Sequence, residues 1–212
     1  MRRLALLLVV ALGALGSVPR LPSADTVVAR MLARNPSVST YRARVHVNVR
    51  MLNFPFLSPQ LRGTSYFKRP DRYEVVFDSV PGYAKGLRKL FDDVGDPAQW
   101  QRTQRIVVAG AQLLDGRPVY VLRLTNKIHS DVLDHTLAYV DATNYDLVRM
   151  EWHYTNGGVI VMRQWYRRQG PYSFVSTQQA EISIPHVHAV AQARYGTYHT
   201  NVAVSGKVFS QP

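Results

Sequence analysis

Tyr41-Arg42-Ala43-Arg44-Val45-His46-Val47-Asn48-Val49-Arg50-Met51 alternates without interruption. Its odd positions are apolar or aromatic and its even positions are polar. Successive side chains of a strand point to opposite faces, so this stretch predicts a strand with one apolar and one wet face. Gly63 to Asp78 follows, with Arg69-Pro70-Asp71-Arg72 at its middle. Proline presets the backbone for a tight turn and Asp71 suits the next position, so this segment predicts a hairpin. Beyond the tip Tyr73, Val75 and Phe77 share one face, against Arg72, Glu74 and Asp78 on the other.

Downstream, Pro81-Gly82 breaks the strand pattern. Tyr83, Leu87, Leu90, Phe91 and Val94 then recur at helical spacing, with Lys85, Arg88 and Lys89 largely on the other side. They predict an amphipathic helix with a basic outer face. Asp96 to Trp100 predicts another brief helical turn. From Arg105 the chain reads as strand after strand. Asp115-Gly116 and Asn156-Gly157 are hairpin signals, and Gly170-Pro171 and Pro185 mark further turns. The last strand is expected over residues 191–204. Upstream, Asp25 to Arg34 predicts a helix capped by Ser23 or Asp25, with Val27, Val28, Met31 and Leu32 as its apolar stripe. Asn35-Pro36 ends it.

About ten strands with barrel-like turn spacing predict a mainly β (α+β) chain. The expected architecture is a single unclosed antiparallel β-barrel, with short helices covering its concave apolar face. No repeat or linker divides it. The expected organisation is a signal peptide over residues 1–24 and one domain over residues 25–212. Arg2 and Arg3 precede the apolar run Leu4 to Leu15, which is short for a bilayer span. Small residues follow it, so cleavage after Gly16 or Ala24 and residence in the periplasm or cell envelope are expected.

The 212-residue chain has no cysteine, which excludes disulfides, thiolate metal sites and cysteine nucleophiles. Its formal charge is +12. Residues 1–24 hold three arginines and no acid, and removing those three leaves +9. Export argues against nucleic acid as the partner of this charge, which leaves a solvated outer face of the sheet or attraction to an anionic membrane surface. No nucleophile elbow, phosphate loop or dinucleotide fingerprint is present. His186 and His188 could chelate a metal from one face of an extended segment, but no third ligand has a motif around it. No metal site, cofactor or enzymatic activity is expected.

What stands out is the number of large apolar side chains on the faces that turn inward. Val45, Val47, Val49, Tyr73, Val75, Phe77, Tyr120, Leu122, Leu124, Val148, Met150, Trp152 and Tyr154 are the candidate lining of an apolar cavity. The helix carrying Tyr83, Leu87, Leu90, Phe91 and Val94 is its candidate lid.

Several of these pieces resemble one known family. Gly63 to Phe77 resembles the first hairpin of the LolA-type outer-membrane lipoprotein-sorting proteins. Leu114 to Leu124, with Asp115-Gly116 and Pro118, is similar to their central hairpin. Val140-Asp141, Val148 to Glu151 and Asn156-Gly157-Gly158 resemble the strands that follow. The resemblance rests on order and spacing and covers most of the chain after residue 24. It implies an unclosed barrel with a helical lid that holds acyl chains in a hydrophobic cavity. It also implies a carrier of lipoproteins or other lipids through the periplasm, without a cofactor. Envelope donor and acceptor proteins would be its partners. The alternative is a non-enzymatic envelope sensor or interaction module of the same fold, which a C-terminal domain or membrane anchor would favour.

If the leader is removed on export, N-terminal sequencing of the chain from the producing cell finds a start between Ser17 and Asp25. Recovery of intact Met1 from the membrane fraction would show a retained anchor instead.

Overall fold

The computed structural model describes residues 20–80, 97–128 and 130–210. The alternating stretch forms β1 (Thr40–Met51), and the Pro70 hairpin joins β2 (Gln60–Lys68) to β3 (Arg72–Phe77). Seven more strands follow: β4 (Gln104–Leu114), β5 (Arg117–Asn126), β6 (Leu133–Asp141), β7 (Leu147–Tyr154), β8 (Val159–Gln169), β9 (Tyr172–Ile184) and β10 (Val187–Thr200). Helices α1 (Ala24–Leu32) and α2 (Pro97–Thr103) and a terminal 3-10 turn (Gly206–Ser210) complete the described elements. Among the described residues, no helix is long and apolar enough to cross a membrane.

The ten strands form one sheet in the order β3-β2-β1-β10-β9-β8-β7-β6-β5-β4. Every neighbouring pair is antiparallel. From β4 to β10 the chain meanders, and β10 then pairs with β1. The two edges, β3 and β4, are not joined among the described residues, so the barrel stays open.

The turns follow their residues. Asp115 and Gly116 both have positive φ (50° and 77°), the pairing that a two-residue hairpin of matching twist requires. Asn156-Gly157 makes a longer turn. Gly157 alone takes the positive φ, while Asn156 Oδ1 accepts a hydrogen bond from Gly158 N at 3.0 Å. Pro185 and His186 form a tight turn, with His186 at φ 65°. His186 therefore occupies a turn position, and the expected pair of imidazoles on one extended face does not form. The last strand starts earlier and ends earlier than 191–204, because the turn at His186 opens it and Asn201 (φ 55°) closes it. At Gly63 a Cβ would lie 2.5 Å from the Val76 carbonyl oxygen, so the close approach of β3 demands glycine there.

The core lies on the inner face in two parts. One is built on Val45, Val47, Val49, Leu61 and Val75 from β1 to β3, with Ile182 and the alanines of β10. The other packs Val27, Val28 and Met31 of α1 and Trp100 of α2 onto Leu122, Leu124, Val140 and Met150. Trp152 and Ala180 touch both. Ser23 caps α1, its side chain accepting from Thr26 N at 3.2 Å. At the other end Arg34 forms an ion pair with Asp146 and stacks over the Tyr166 ring at 4.6 Å. Asn35 accepts from Ser173 N (3.0 Å) and donates to Ser173 O (2.8 Å), so the exit from α1 is sewn to the β8–β9 turn.

Burial holds the Asp146 carboxyl above its usual range, and Arg34 opposes that shift. Removing Arg34 leaves that largely buried carboxylate without its counter-ion. Arg34→Ala should lower unfolding stability by about 3 kcal/mol, read from the urea midpoint. The double variant Arg34→Met, Asp146→Leu should recover much of the loss.

Candidate functional site

Between the end of α1 and the sheet lies a cavity of about 240 Å³. Its floor comes from β1, β2, β8, β9 and β10, and its walls include Tyr41, Phe67, Tyr73, Tyr166, Phe174, Tyr195 and Tyr198. The α1–β1 linker forms the rim, with Arg34, Asn35 and Val38. Arg69 fixes that linker by donating from Nε to Val38 O (2.7 Å) and from the guanidinium to Asn35 O (3.0 Å).

The aromatic rings pack against one another. Tyr198 stacks on Phe174 at 4.2 Å and meets the edge of Tyr41 at 5.0 Å. Tyr41 stacks on Phe67 at 5.2 Å. Such pairs add about 1 kcal/mol each beyond their burial. Five tyrosines would make a polar pocket if their hydroxyls faced it, but protein groups take four of those hydroxyls. Tyr198 donates to Val175 O (2.9 Å) and Tyr195 to Gln178 Oε1 (2.7 Å). The Tyr166 hydroxyl lies 2.8 Å from Gln164 Oε1, and the Tyr73 hydroxyl is 3.4 Å from that of Tyr195. The rings are left to line the space. Burial raises the pKa of all four hydroxyls, that of Tyr195 and Tyr198 well above the ordinary value. The site is uncharged at its walls and charged at its rim.

The structure distributes the expected lining residues over several places. Val45, Val47, Val49, Tyr73, Val75, Phe77 and Tyr154 belong to the inner cluster under β1–β3, and of these Tyr73 reaches the cavity. Val45, Val47, Tyr73, Val75 and Phe77 also border a small gap beside it. Tyr120, Leu122, Leu124 and Met150 lie in the cluster covered by α1, where the last three are closed off as packed core. Trp152 stands between the two clusters. Val148 is a correction. It packs with Val119, Val121 and Tyr139 on the outer face. The register shifts between Tyr139 and Val140, so a bulge at the start of β7 turns Leu147 inward and Val148 outward. The expected lid residues Tyr83, Leu87, Leu90, Phe91 and Val94 lie outside the described residues.

Most of the aromatic lining escaped the alternation rule for the same reason. Ala43 and Val45 of β1 pair with Tyr198 and Tyr195 of β10, so Arg44 alone lies opposite the two residues Gly196 and Thr197. The bulge puts both tyrosines on the inner face, where strict alternation would separate them. A second bulge, where Trp165 and Tyr166 pair with Thr177 and Val175, lies in the strands that carry Tyr166 and Phe174. The available signal was the unusual density of tyrosine in Tyr195-Gly196-Thr197-Tyr198, with glycine in its middle.

No family model and no curated protein matches the sequence. Solved structures do match the fold. A DUF1329 family protein from Desulfovibrio piger superposes with a TM-score of 0.67 at 11% identity, over 87% of this chain and 94% of that one. A protein domain from Vibrio parahaemolyticus, assigned to outer membrane lipoprotein sorting, gives 0.65 at 10% identity, again over 87% and 94%. A LolA superfamily protein from Nitrosomonas europaea gives 0.58 at 12% identity, over 90% and 99%. At such identities the likeness is one of fold, and the unclosed ten-stranded barrel with its helix docked inside is the LolA-like fold.

Proposed function

We propose that this chain is an exported carrier that holds acyl chains of lipids or lipoproteins on its inner face and moves them through the cell envelope. The observation that carries this reading is the aromatic cavity on the inner face of the unclosed sheet. Its volume of about 240 Å³ falls just under the ~300 Å³ where pockets for small organic ligands begin. It therefore suits one segment of a flexible chain. Four of its five tyrosine hydroxyls already have protein partners, so an apolar guest leaves those four satisfied. The similarity to a lipoprotein-sorting domain and to a LolA superfamily protein supports the same reading. In this role the protein binds and releases, and no bond in the cargo is made or broken.

A fluorescent fatty acid provides the test. Phe67 lines the cavity and is only partly buried, so Phe67→Glu should fold while setting a carboxylate against the guest. An unpaired carboxylate in an apolar site weakens binding by about tenfold or more. Equal binding by both proteins, with circular dichroism unchanged, would sink the proposal.

The buried tyrosines give a pH signature. Their neutral form is favoured in the folded chain, so neither state loses protons below about pH 10. Above that, the unfolded chain releases tyrosine protons that the folded chain keeps, and stability falls as pH rises. The urea midpoint should drop steeply above about pH 10, and less steeply in Tyr195→Phe. A midpoint with the same alkaline slope in both proteins would show that Tyr195 does not take part.

A further inference from the structure

The loop between β1 and β2 breaks the pattern of the outer surface. Leu52, Phe54 and Phe56 are 51%, 43% and 81% exposed, and Pro55 is exposed between the two rings. Isolated apolar residues on a surface are ordinary, but a contiguous group at a loop tip is not. The loop is also built firmly. Leu57 N donates to Phe54 O (2.8 Å), and Leu52 N donates to His188 O (2.7 Å). The side chain of Asn53 donates to His186 O (2.8 Å) and accepts from His188 N (3.3 Å), extending the ladder to the β9–β10 turn. The one polar residue among these five is thus spent on backbone, and the apolar ones face water.

The strands that carry this tip hold charge of one sign. From Thr26 to Pro70 the sequence holds no Asp or Glu, and none occurs from Ile182 to the last residue. Strands β1, β2 and β10 and the tip itself therefore carry no carboxylate. Arg50 is exposed just before the loop, and His186 and His188 are exposed beside it.

We infer that the β1–β2 loop is a membrane-docking tip, which seats Leu52, Phe54 and Phe56 in the interfacial layer of an anionic bilayer. Aromatic side chains favour the boundary between headgroups and hydrocarbon, and nearby cations are drawn to anionic headgroups. Three side chains on one loop are too few for a standard protein interface of ~800 Å² per partner. They are enough for reversible attachment to lipid. Part of the loop's polar backbone is already paired, at Leu52 N, Leu57 N, Phe54 O and Pro55 O, which lowers the desolvation that insertion requires. This inference rests on a different element from the cavity and stands independently of what the cavity holds.

The lack of cysteine makes the test clean, because a single introduced thiol takes a single label. Phe56→Cys carrying an environment-sensitive dye should show a blue shift with vesicles of phosphatidylcholine and phosphatidylglycerol. The same dye on Leu113→Cys should stay unchanged. Leu113 is also exposed (72%), but it lies near the β4–β5 turn at the opposite end of the strand array. The double variant Phe54→Ser, Phe56→Ser should co-sediment with these vesicles about tenfold less than the parent chain in the same form. Pure phosphatidylcholine should hold both weakly. The inference is overturned if the dye at position 56 does not respond. It is overturned equally if the double variant binds vesicles like the parent. A dimer in sedimentation that the double variant abolishes, with no response to lipid, would assign the tip to a second copy of the chain instead.

Discussion

Strand β1 pairs with β2 on one side and with β10 on the other. The second pairing joins the first hairpins to the last strand and makes one curved sheet out of what would otherwise be two. Its inner side sets large residues against small ones. Val47 and Val49 lie opposite Ala193 and Ala191, and Met51 opposite Ala189. The alanines let the two backbones curve inward while the valines fill the space, each contributing about 1.5 to 3 kcal/mol by burial. Where β10 meets the start of β1 the alternation changes to tyrosine, and a bulge turns Tyr195 and Tyr198 into the same space. Close packing at one end of the pair and a cavity at the other follow from that change.

Helix α1 decides how much of the inner face remains available. Its stripe covers the half built from β5 to β8 and converts that half into ordinary core. It stops at Leu32, and the linker then crosses the floor under the hold of Arg34, Asn35 and Arg69. The cavity is what this crossing leaves uncovered. Polar interactions at the rim thus define an apolar space without entering it.

Much of the architecture was legible in residue order. The strict alternation of β1 gave its two faces. Asp115-Gly116 gave a turn whose two positive φ angles only such residues adopt readily, and Ser23 gave the start of α1. The cavity was much less legible. Period-two reasoning placed Val148 inside and left Tyr195, Tyr198, Tyr166 and Phe174 unassigned. Bulges break the period, and the residues that set them (Gly196 in β10, for example) have no strong local signature. Likewise Leu122, Leu124 and Met150 do face inward, but sequence pattern alone cannot distinguish an inward face open to a guest from one under a helix.

The β1–β10 pairing also has a consequence in time. Ser39 and Asn201, bonded through backbone and side chain, lie 162 positions apart. A chain emerging N-terminus first presents β1 and its neighbours long before their partner exists. Until β10 arrives, one edge of β1 stays without its ladder, and the valines meant for the inner face have nothing to close over them. Contacts this remote in sequence make for slow assembly, since the loop entropy is lost before the pairing compensates. The eight lysine and arginine residues between Thr26 and Pro70, with no acid among them, give that waiting segment a charge that repels its own copies. The one-signed charge of β1 and β2 is thus also a solubility device for the unfinished sheet.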